Sequence, residues 1–284
     1  MTAPVAIDRT ILLPFIPMTS ATTSAATYFM DDPREAARLE AKVDGQAWAE
    51  RYLRPHLPSD ASVLEIGCGP GHLLRGAAEV QPGIFGTGID LSYERIVEAR
   101  RHSAGNPRLK FACANSQKLP LPNDEYDTAW CRHLLEYLPY KEQAVAELHR
   151  VLRPGGTVLL QDLDGQFVWN YPQDEELARR VDRVLDVLAP TGFDPFVGRK
   201  LYHLARAAGF RDLRVAAEPY HLYAGVIDEE HYAQWALKLA ILRPQLVKIL
   251  GPVEAGEMVR RFLDYLQDPA TLTYSVLFTV TGRK

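Results

Sequence analysis

Apolar positions change their period along this chain, and the changes mark its elements. Five runs, 62–67 (SVLEIG), 83–92 (GIFGTGIDLS), 109–114 (LKFACA), 125–132 (EYDTAWCR) and 157–163 (TVLLQDL), are short, apolar and rich in strand formers. Between them lie HLLRGAAEV, YERIVEARRHSA and KEQAVAELHRVLRPGG, which read as helices. In the last, Val145, Leu148, Val151 and Leu152 share one face, and Pro154 and Gly155 stop it. Strands alternating with helical segments of this length predict right-handed βαβ units and a parallel sheet.

After Asp164 the rhythm breaks. QDEELARRVDRVLDVLA (173–189) is an amphipathic helix where the alternation wants a simple crossover. VGRKLYHLARAAGF then reads as a helix closed by Gly209, and RDLRVAAE as a sixth strand. Residues 226–268 are helical again, with Tyr232, Trp235, Leu239 and Leu242 on one stripe. LTYSVLFTVTG alternates like an antiparallel or edge strand. At the other end, residues 1–30 are rich in Thr, Ser, Ala and Pro and read as an arm. A helix follows, capped by Asp32, with Pro33 in its first turn and Leu39, Val43 and Ala47 as its stripe. Three regions result: an arm and helix over 1–57, a ligand-binding core over 58–165, and the rest of the sheet over 166–284. The last carries two helical insertions, about 166–195 and 222–270, expected to form a lid over the carboxyl ends of the strands.

Composition narrows the class. The chain has 284 residues, is 47% hydrophobic and 24% charged, and has a formal net charge of −4. That is ordinary for a globular protein and gives no basic footprint for nucleic acid. The three cysteines, Cys68, Cys113 and Cys131, are odd in number and far apart, which predicts no disulfide framework and a reducing, cytoplasmic compartment. No run reaches the roughly 18 apolar residues of a membrane span. Ile11 to Pro17 looks faintly like a signal peptide, but two prolines interrupt it and Asp8 sits in the would-be basic region. The arm makes a homo-oligomer conceivable.

The candidate chemistry lies in EIGCGPGHL. Gly67, Gly69 and Gly71 end the first strand, where bare backbone lets a ligand touch main-chain atoms. The dinucleotide fingerprint wants a glycine where His72 stands. Glu65 would also repel a pyrophosphate. A ligand with an ammonium and no phosphate has no such conflict, and S-adenosylmethionine is one. Asp90 ends the second strand, placed to accept hydrogen bonds from ribose hydroxyls or to cap the next helix.

Together VLEIGCGPG, GIDLS, FACANSQKLPLPNDEYDTAWCRHLLEYLP and ELHRVLRPGG resemble the successive motifs of class I S-adenosylmethionine-dependent methyltransferases over about residues 60–165. The resemblance implies an α/β, Rossmann-like, seven-stranded, mostly parallel sheet with the last strand antiparallel, which agrees with the strands found above. It also implies roles. Gly67 and Gly69 would line the methionine part of the donor, with Glu65 nearby. Asp90 would hold the ribose, and Leu91 the adenine. Asn115 and Ser116 would sit at the adenine edge; many relatives have Asp where this chain has Asn115. Arg132 and His133 would face the sulfonium and the acceptor, and Tyr137 stands where relatives often carry His. Tyr28 and the helix from Pro33 would close over the donor.

For catalysis, His133 is the candidate base, with Asp162 and Asp164 as alternatives; Glu136 would cap or pair, and His221 lies among aromatics. No His/Asp/Glu group has ligand spacing along the sequence, so no metal is expected. The insertions carry Phe167, Trp169, Tyr171, Tyr220, Tyr223, Tyr232 and Trp235, which suit either lid core or a closed pocket for a flat or apolar molecule. The resulting expectation is methyl transfer to a small apolar or aromatic metabolite, as in natural-product biosynthesis, with O, N or C methylation open. Carbon methylation of a prenyl or terpenoid chain, with lid aromatics stabilising a cation, and a quinone or lipid-head-group methyltransferase are alternatives. A non-catalytic donor-binding protein is the rival of another class.

Overall fold

The computed structural model describes Arg34 and residues 43–284. Tyr28, the arm and the expected cap at Asp32 and Pro33 lie outside the described residues. Chain order gives β1 (Ser62–Ile66), α2 (His72–Val80), β2 (Phe85–Asp90), α3 (Tyr93–His102), β3 (Leu109–Cys113), β4 (Tyr126–Arg132), α4 (Lys141–Val151) and β5 (Leu152–Tyr171) after a short α1 (Gly45–Trp48). Then follow α5 (Glu175–Leu188), α6 (Leu201–Ala207), β6 (Arg211–Ala224), α7 (Glu229–Leu250), α8 (Pro252–Tyr265) and β7 (Leu272–Arg283).

The seven strands form one sheet in the order β3-β2-β1-β4-β5-β7-β6. β1 pairs in parallel with β2 and β4, and β7 runs antiparallel to both β5 and β6. β1 is buried along its whole length, as a central parallel strand covered on both faces must be. β7 is therefore antiparallel as expected but not an edge; β6 takes that position. The order reverses between β1 and β4, and ligands in open α/β sheets bind at such a crevice, outside the carboxyl ends of the strands.

Three differences from the sequence reading have physical causes. β5 does not stop at Asp164: it slips register between Asp164 and Trp169 and runs on to Tyr171 against β7. β6 likewise runs past Glu218 to Ala224 with a shift between Tyr220 and Tyr223. A bulge costs the ladder one residue and re-aims a side chain, so the alternation used to find strands fails there. The third is the segment 226–268, which is two helices because Gly251, at φ 83°, breaks the path and Pro252 starts the next helix.

Leu177, Val181 and Leu188 of α5 pack with Trp235, Leu239 and Leu242 of α7 and Met258 and Phe262 of α8 in an apolar cluster of their own. The two insertions thus meet. At the other end, Asp44 caps α1 by accepting from the Ala47 N–H at 3.0 Å. The helical path then continues through Ala49–Leu53 and Arg54–His56. Its Tyr52 hydroxyl donates to Glu218 of β6 at 3.1 Å, and Arg51 pairs with the same carboxylate.

This segment crosses α2 at two glycines. A Cβ on Gly76 would lie 2.2 Å from the Gly45 carbonyl carbon, and one on Gly45 would lie 2.5 Å from the His72 carbonyl oxygen. Backbone cannot yield as a side chain can. Gly76→Ala is therefore expected to destabilise the protein by about 1–3 kcal/mol, although alanine is the better helix former. Denaturant unfolding of the variant tests this; an unchanged or raised midpoint would show that α1 is not held by the crossing.

Candidate active site

The turn after β1 is built by backbone that only glycine adopts freely. Gly67, Gly69 and Gly71 have φ of 70°, 51° and 79°. The Gly67 and Cys68 N–H groups both donate to the Ile89 carbonyl, at 2.7 and 3.0 Å, tying the turn to β2. The Gly69 N–H donates to Asp90 Oδ2 at 2.8 Å, and Ser92 N–H to Asp90 Oδ1 at 2.9 Å. Asp90 thus fastens the turn and starts α3 with one carboxylate. The cap on α3 itself is Ser92, whose hydroxyl accepts from Arg95 N–H. A Cβ on Gly67 would press Leu134 at 3.0 Å, whereas one on Gly69 would meet nothing within 4 Å.

Glu65 sits in mid-strand beneath this turn, only 2% exposed. Burial pushes its carboxyl up to about 8; Asp90 adds to the effect, while the Trp130 indole and the Arg132 guanidinium oppose it. Its Oε2 has no hydrogen-bond partner among the described residues. A buried acid with one unpartnered oxygen, beside open, glycine-lined backbone, fits the ammonium end of S-adenosylmethionine, and it does not fit a phosphate.

The rest of the expected donor site follows the strand ends. Leu91, just past β2, is 49% exposed and stands at the mouth. The Ala114 N–H donates to the Asp90 carbonyl at 2.9 Å, which brings Asn115 and buried Ser116 alongside. Asn115 Oδ1 already accepts from Gln117 N–H at 2.9 Å, so it shapes its own loop. The second lone pair of that oxygen and the amide N–H₂ are what it has for a ligand.

Arg132 is held by a residue that the motif reading missed. Gln161, fully buried in β5, accepts from Arg132 Nε at 3.0 Å and from Trp48 Nε1 at 2.7 Å, and its amide donates to Thr279 Oγ1 at 2.8 Å. One side chain joins α1, β4, β5 and β7. The only sign in the sequence was a polar residue at a core position of TVLLQDL.

His133 follows β4 at φ 51°, an uncommon conformation for a non-glycine residue. Its N–H donates to the Gln161 carbonyl at 3.0 Å, and its Nδ1 lies 3.7 Å from Asp162 Oδ1. Asp162 is 1% exposed; its oxygens accept from Leu163 N–H at 2.9 Å and Glu136 N–H at 3.3 Å. Burial, and the Glu136 carboxyl beside it, hold Asp162 well above the usual carboxylate range. Ligand atoms of His133, Glu136 and Asp162 all lie within 4.8 Å of one another. The expectation that no His/Asp/Glu group has ligand spacing is corrected here, because β5 brings Asp162 back beside the turn after β4. Asp164 is not part of this group. It accepts from the backbone N–H and the guanidinium of Arg199 at 2.6–3.0 Å and so anchors the start of α6.

The lid side is aromatic. Phe167 and His221 sit at the two register shifts with φ of 68° and 49°. Both rings meet Trp235 of α7, at 4.8 and 5.0 Å. His221 stacks edge-on with Tyr220 at 4.4 Å, and Tyr220 faces His133 at 6.1 Å. Strained non-glycine backbone is retained where the surroundings hold it, and it collects at ligand sites. Beneath α5, α7 and α8 lies a mainly apolar cavity of about 70 Å³ lined by residues that include Tyr137, Phe167, Leu239 and Leu242, with Gln166 and Lys238 as polar members. Lys238 was hidden in the apolar run WALKLAIL. Tyr171 is 74% exposed and takes no part; Tyr223 and Tyr232 pack on the lid cluster.

Residues 64–160 match a family model described as a methyltransferase domain. An uncharacterized 37.1 kDa protein in transposon TN4556 of Streptomyces fradiae is 36% identical over 152 residues, 52% of this chain and 43% of that protein. The 2-methyl-6-phytyl-1,4-hydroquinone methyltransferase of Synechocystis sp. is 28% identical over 151 residues, 53% and 45% of the two chains. This chain thus spans less than half the length of these curated relatives. Among solved structures, Haemonchus contortus phosphoethanolamine N-methyltransferase 2, with phosphomonomethylethanolamine and S-adenosylhomocysteine, superposes with a TM-score of 0.54 at 15% identity, covering 84% of this chain and 52% of that one. That likeness is one of fold. Residues 64–160 thus carry a methyltransferase domain, on the Rossmann-like fold of its methyltransferase neighbours.

Proposed function

We propose that this chain transfers the methyl group of S-adenosylmethionine to a small apolar or aromatic metabolite, as in natural-product biosynthesis, inside a pocket closed by the 166–195 and 222–270 insertions. The observation that carries this reading is the apolar cavity under the lid helices, which shares Tyr137 with the segment holding His133 and Glu136. Its mainly apolar lining suits a small apolar molecule better than a charged polymer.

When bound, the donor supplies an electrophilic methyl on a sulfonium. The chain's residues do the rest. Gly67 and Gly69 hold the methionine end by backbone, Glu65 balances its ammonium, and Asp90 offers the ribose its remaining lone pairs. Leu91, Asn115 and Ser116 frame the adenine. Gln161 fixes Arg132 at the inner end of the donor site. The lid holds the acceptor atom within about 3–3.5 Å on the displacement axis. His133 takes the acceptor's proton at a ring nitrogen, with Asp162 Oδ1 3.7 Å from its Nδ1.

Calorimetric titration with S-adenosylmethionine, S-adenosylhomocysteine and NADH on wild type and Asp90→Ala tests the donor site. Binding of the first two, lost on substitution, supports it; preference for NADH overturns it. Acceptors are then screened with labelled methyl. Transfer is expected to persist in excess EDTA. If EDTA abolishes it and a divalent cation restores it, the His133, Glu136 and Asp162 group is a metal centre. The hydroquinone methyltransferase relative favours a quinone-type acceptor as the second reading. Among the described residues no helix is long and apolar enough to cross a membrane, so a lipid-borne quinone would have to be reached from the surface, and vesicle flotation would detect that.

A further inference from the structure

Neighbouring strands set a row of polar side chains on one face of the sheet. Glu65 of β1 pairs with Trp130 of β4, and Arg132, two residues on, points to that same face. Arg132 pairs in turn with Gln161 of β5, and Gln161 with Thr279 of β7. One position past the Ile66–Cys131 pair, Arg132 stands level with Gly67 and so beside the glycine turn. Its positive charge reaches Glu65, where it opposes the rise that burial causes.

The guanidinium is aimed by its neighbours. Its Nε donates to Gln161 Oε1 at 3.0 Å, whereas Nη2 reaches the Tyr220 hydroxyl only at 3.5 Å, long for a hydrogen bond. Gln161 cannot swing away. It is fully buried, the same Oε1 takes the Trp48 indole N–H at 2.7 Å, and its amide donates to Thr279 Oγ1 at 2.8 Å. With Nε tied to Gln161, the planar fork is held in one orientation and its Nη edge is left for a ligand.

We propose that Arg132 binds the carboxylate at the amino-acid end of the donor, and that Gln161 is the residue that positions it to do so. S-adenosylmethionine carries two cations, an ammonium and a sulfonium, and one anion. Both cations repel a guanidinium. The carboxylate fits it, with two N–H groups meeting two oxygens in one plane. Glu65 and Arg132 then read the zwitterion as a pair of opposite charges, acid for ammonium and guanidinium for carboxylate. This rests on the reading that S-adenosylmethionine binds at the glycine turn.

The test uses the full chain and three ligands. These are S-adenosylhomocysteine, its decarboxylated analogue, which keeps the ammonium, and its deaminated analogue, which keeps the carboxylate. Calorimetry on wild type is expected to show S-adenosylhomocysteine bound at least about tenfold tighter than the decarboxylated analogue, the worth of one hydrogen bond to a charged group. In Arg132→Met that preference falls below about twofold, while the preference over the deaminated analogue stays. Gln161→Met removes the acceptor and keeps the bulk; it lowers the carboxylate preference by at least about threefold and leaves the ammonium preference within about twofold of wild type. A Gln161→Met that weakens all three ligands alike, with both preferences kept, overturns the positioning role, since the residue then serves only the fold. Wild type binding S-adenosylhomocysteine and the decarboxylated analogue equally overturns the proposal and leaves the methyltransferase reading standing. A carboxylate preference that survives in Arg132→Met overturns it too, because the carboxylate is then held elsewhere. Failure of S-adenosylhomocysteine to bind wild type sinks the methyltransferase reading itself, and this inference with it. The wild-type comparison needs no variant, so a misfolded Arg132→Met leaves it decisive.

Discussion

His133→Ala will lower kcat by about 10²–10⁴-fold, the usual contribution of a positioned base, while leaving the donor dissociation constant within about threefold of wild type. The turn at Gly67, Gly69 and Asp90 is held by hydrogen bonds to β2 that do not involve His133. His133→Asn is the control for backbone, because Asn tolerates the φ of 51° that this position adopts. Both variants should lose activity alike if the imidazole is the base. If Asn restores it, the position matters for its shape. A loss of less than about fivefold in kcat for His133→Ala would remove the base and point to an acceptor that needs none, such as an alkene carbon.

Much of this was legible in the sequence, for reasons that particular residues make clear. The glycine turn could be read because positive φ admits few residues besides glycine, so the demand of the backbone is written in the chain. Asp90 could be read because the end of β2 is a fixed place in the fold. Two kinds of feature could not. One is the partner brought in from a distant strand. Asp162 reaches His133 only because β5 lies next to β4, and Gln161 joins four elements because its buried amide must be satisfied from all sides. Spacing along the chain carries neither fact. The other is strain: the bulges at Phe167 and His221 sit where alternation breaks, and a broken alternation reads as a strand end. Lys238 was missed for a related reason, since a single cation in an apolar stripe looks like a helix surface until two ring faces are found on it.

Glu65→Gln will weaken donor binding by about 30-fold or more, from the roughly 2–5 kcal/mol that truncating one member of a buried charge pair costs, and will remove a pH dependence. In the empty protein Glu65 titrates near 8, so at pH 7 it carries a proton. Ionising it there costs about 1.4 kcal/mol, one pH unit's worth. Below pH 7.5 the ligand's ammonium stays charged, so binding should expel up to one proton, and wild-type affinity should rise by up to tenfold per pH unit between 6 and 7.5. The variant should show neither effect in calorimetry across buffers of different ionisation enthalpy. Folding stability moves the opposite way. Because the native acid holds its proton up to about 8 and the unfolded one only to its ordinary value near 4.5, the native state binds more protons in that window. The empty wild type therefore loses stability as pH rises through it. Glu65→Gln lacks this loss and should unfold at a higher temperature than wild type at pH 8.5, yet not at pH 4.5. A variant that is weaker in donor binding and tougher without donor is what a ligand-directed buried acid predicts. A variant weakened in both would mean that Glu65 serves the fold, and the ammonium is held by something else.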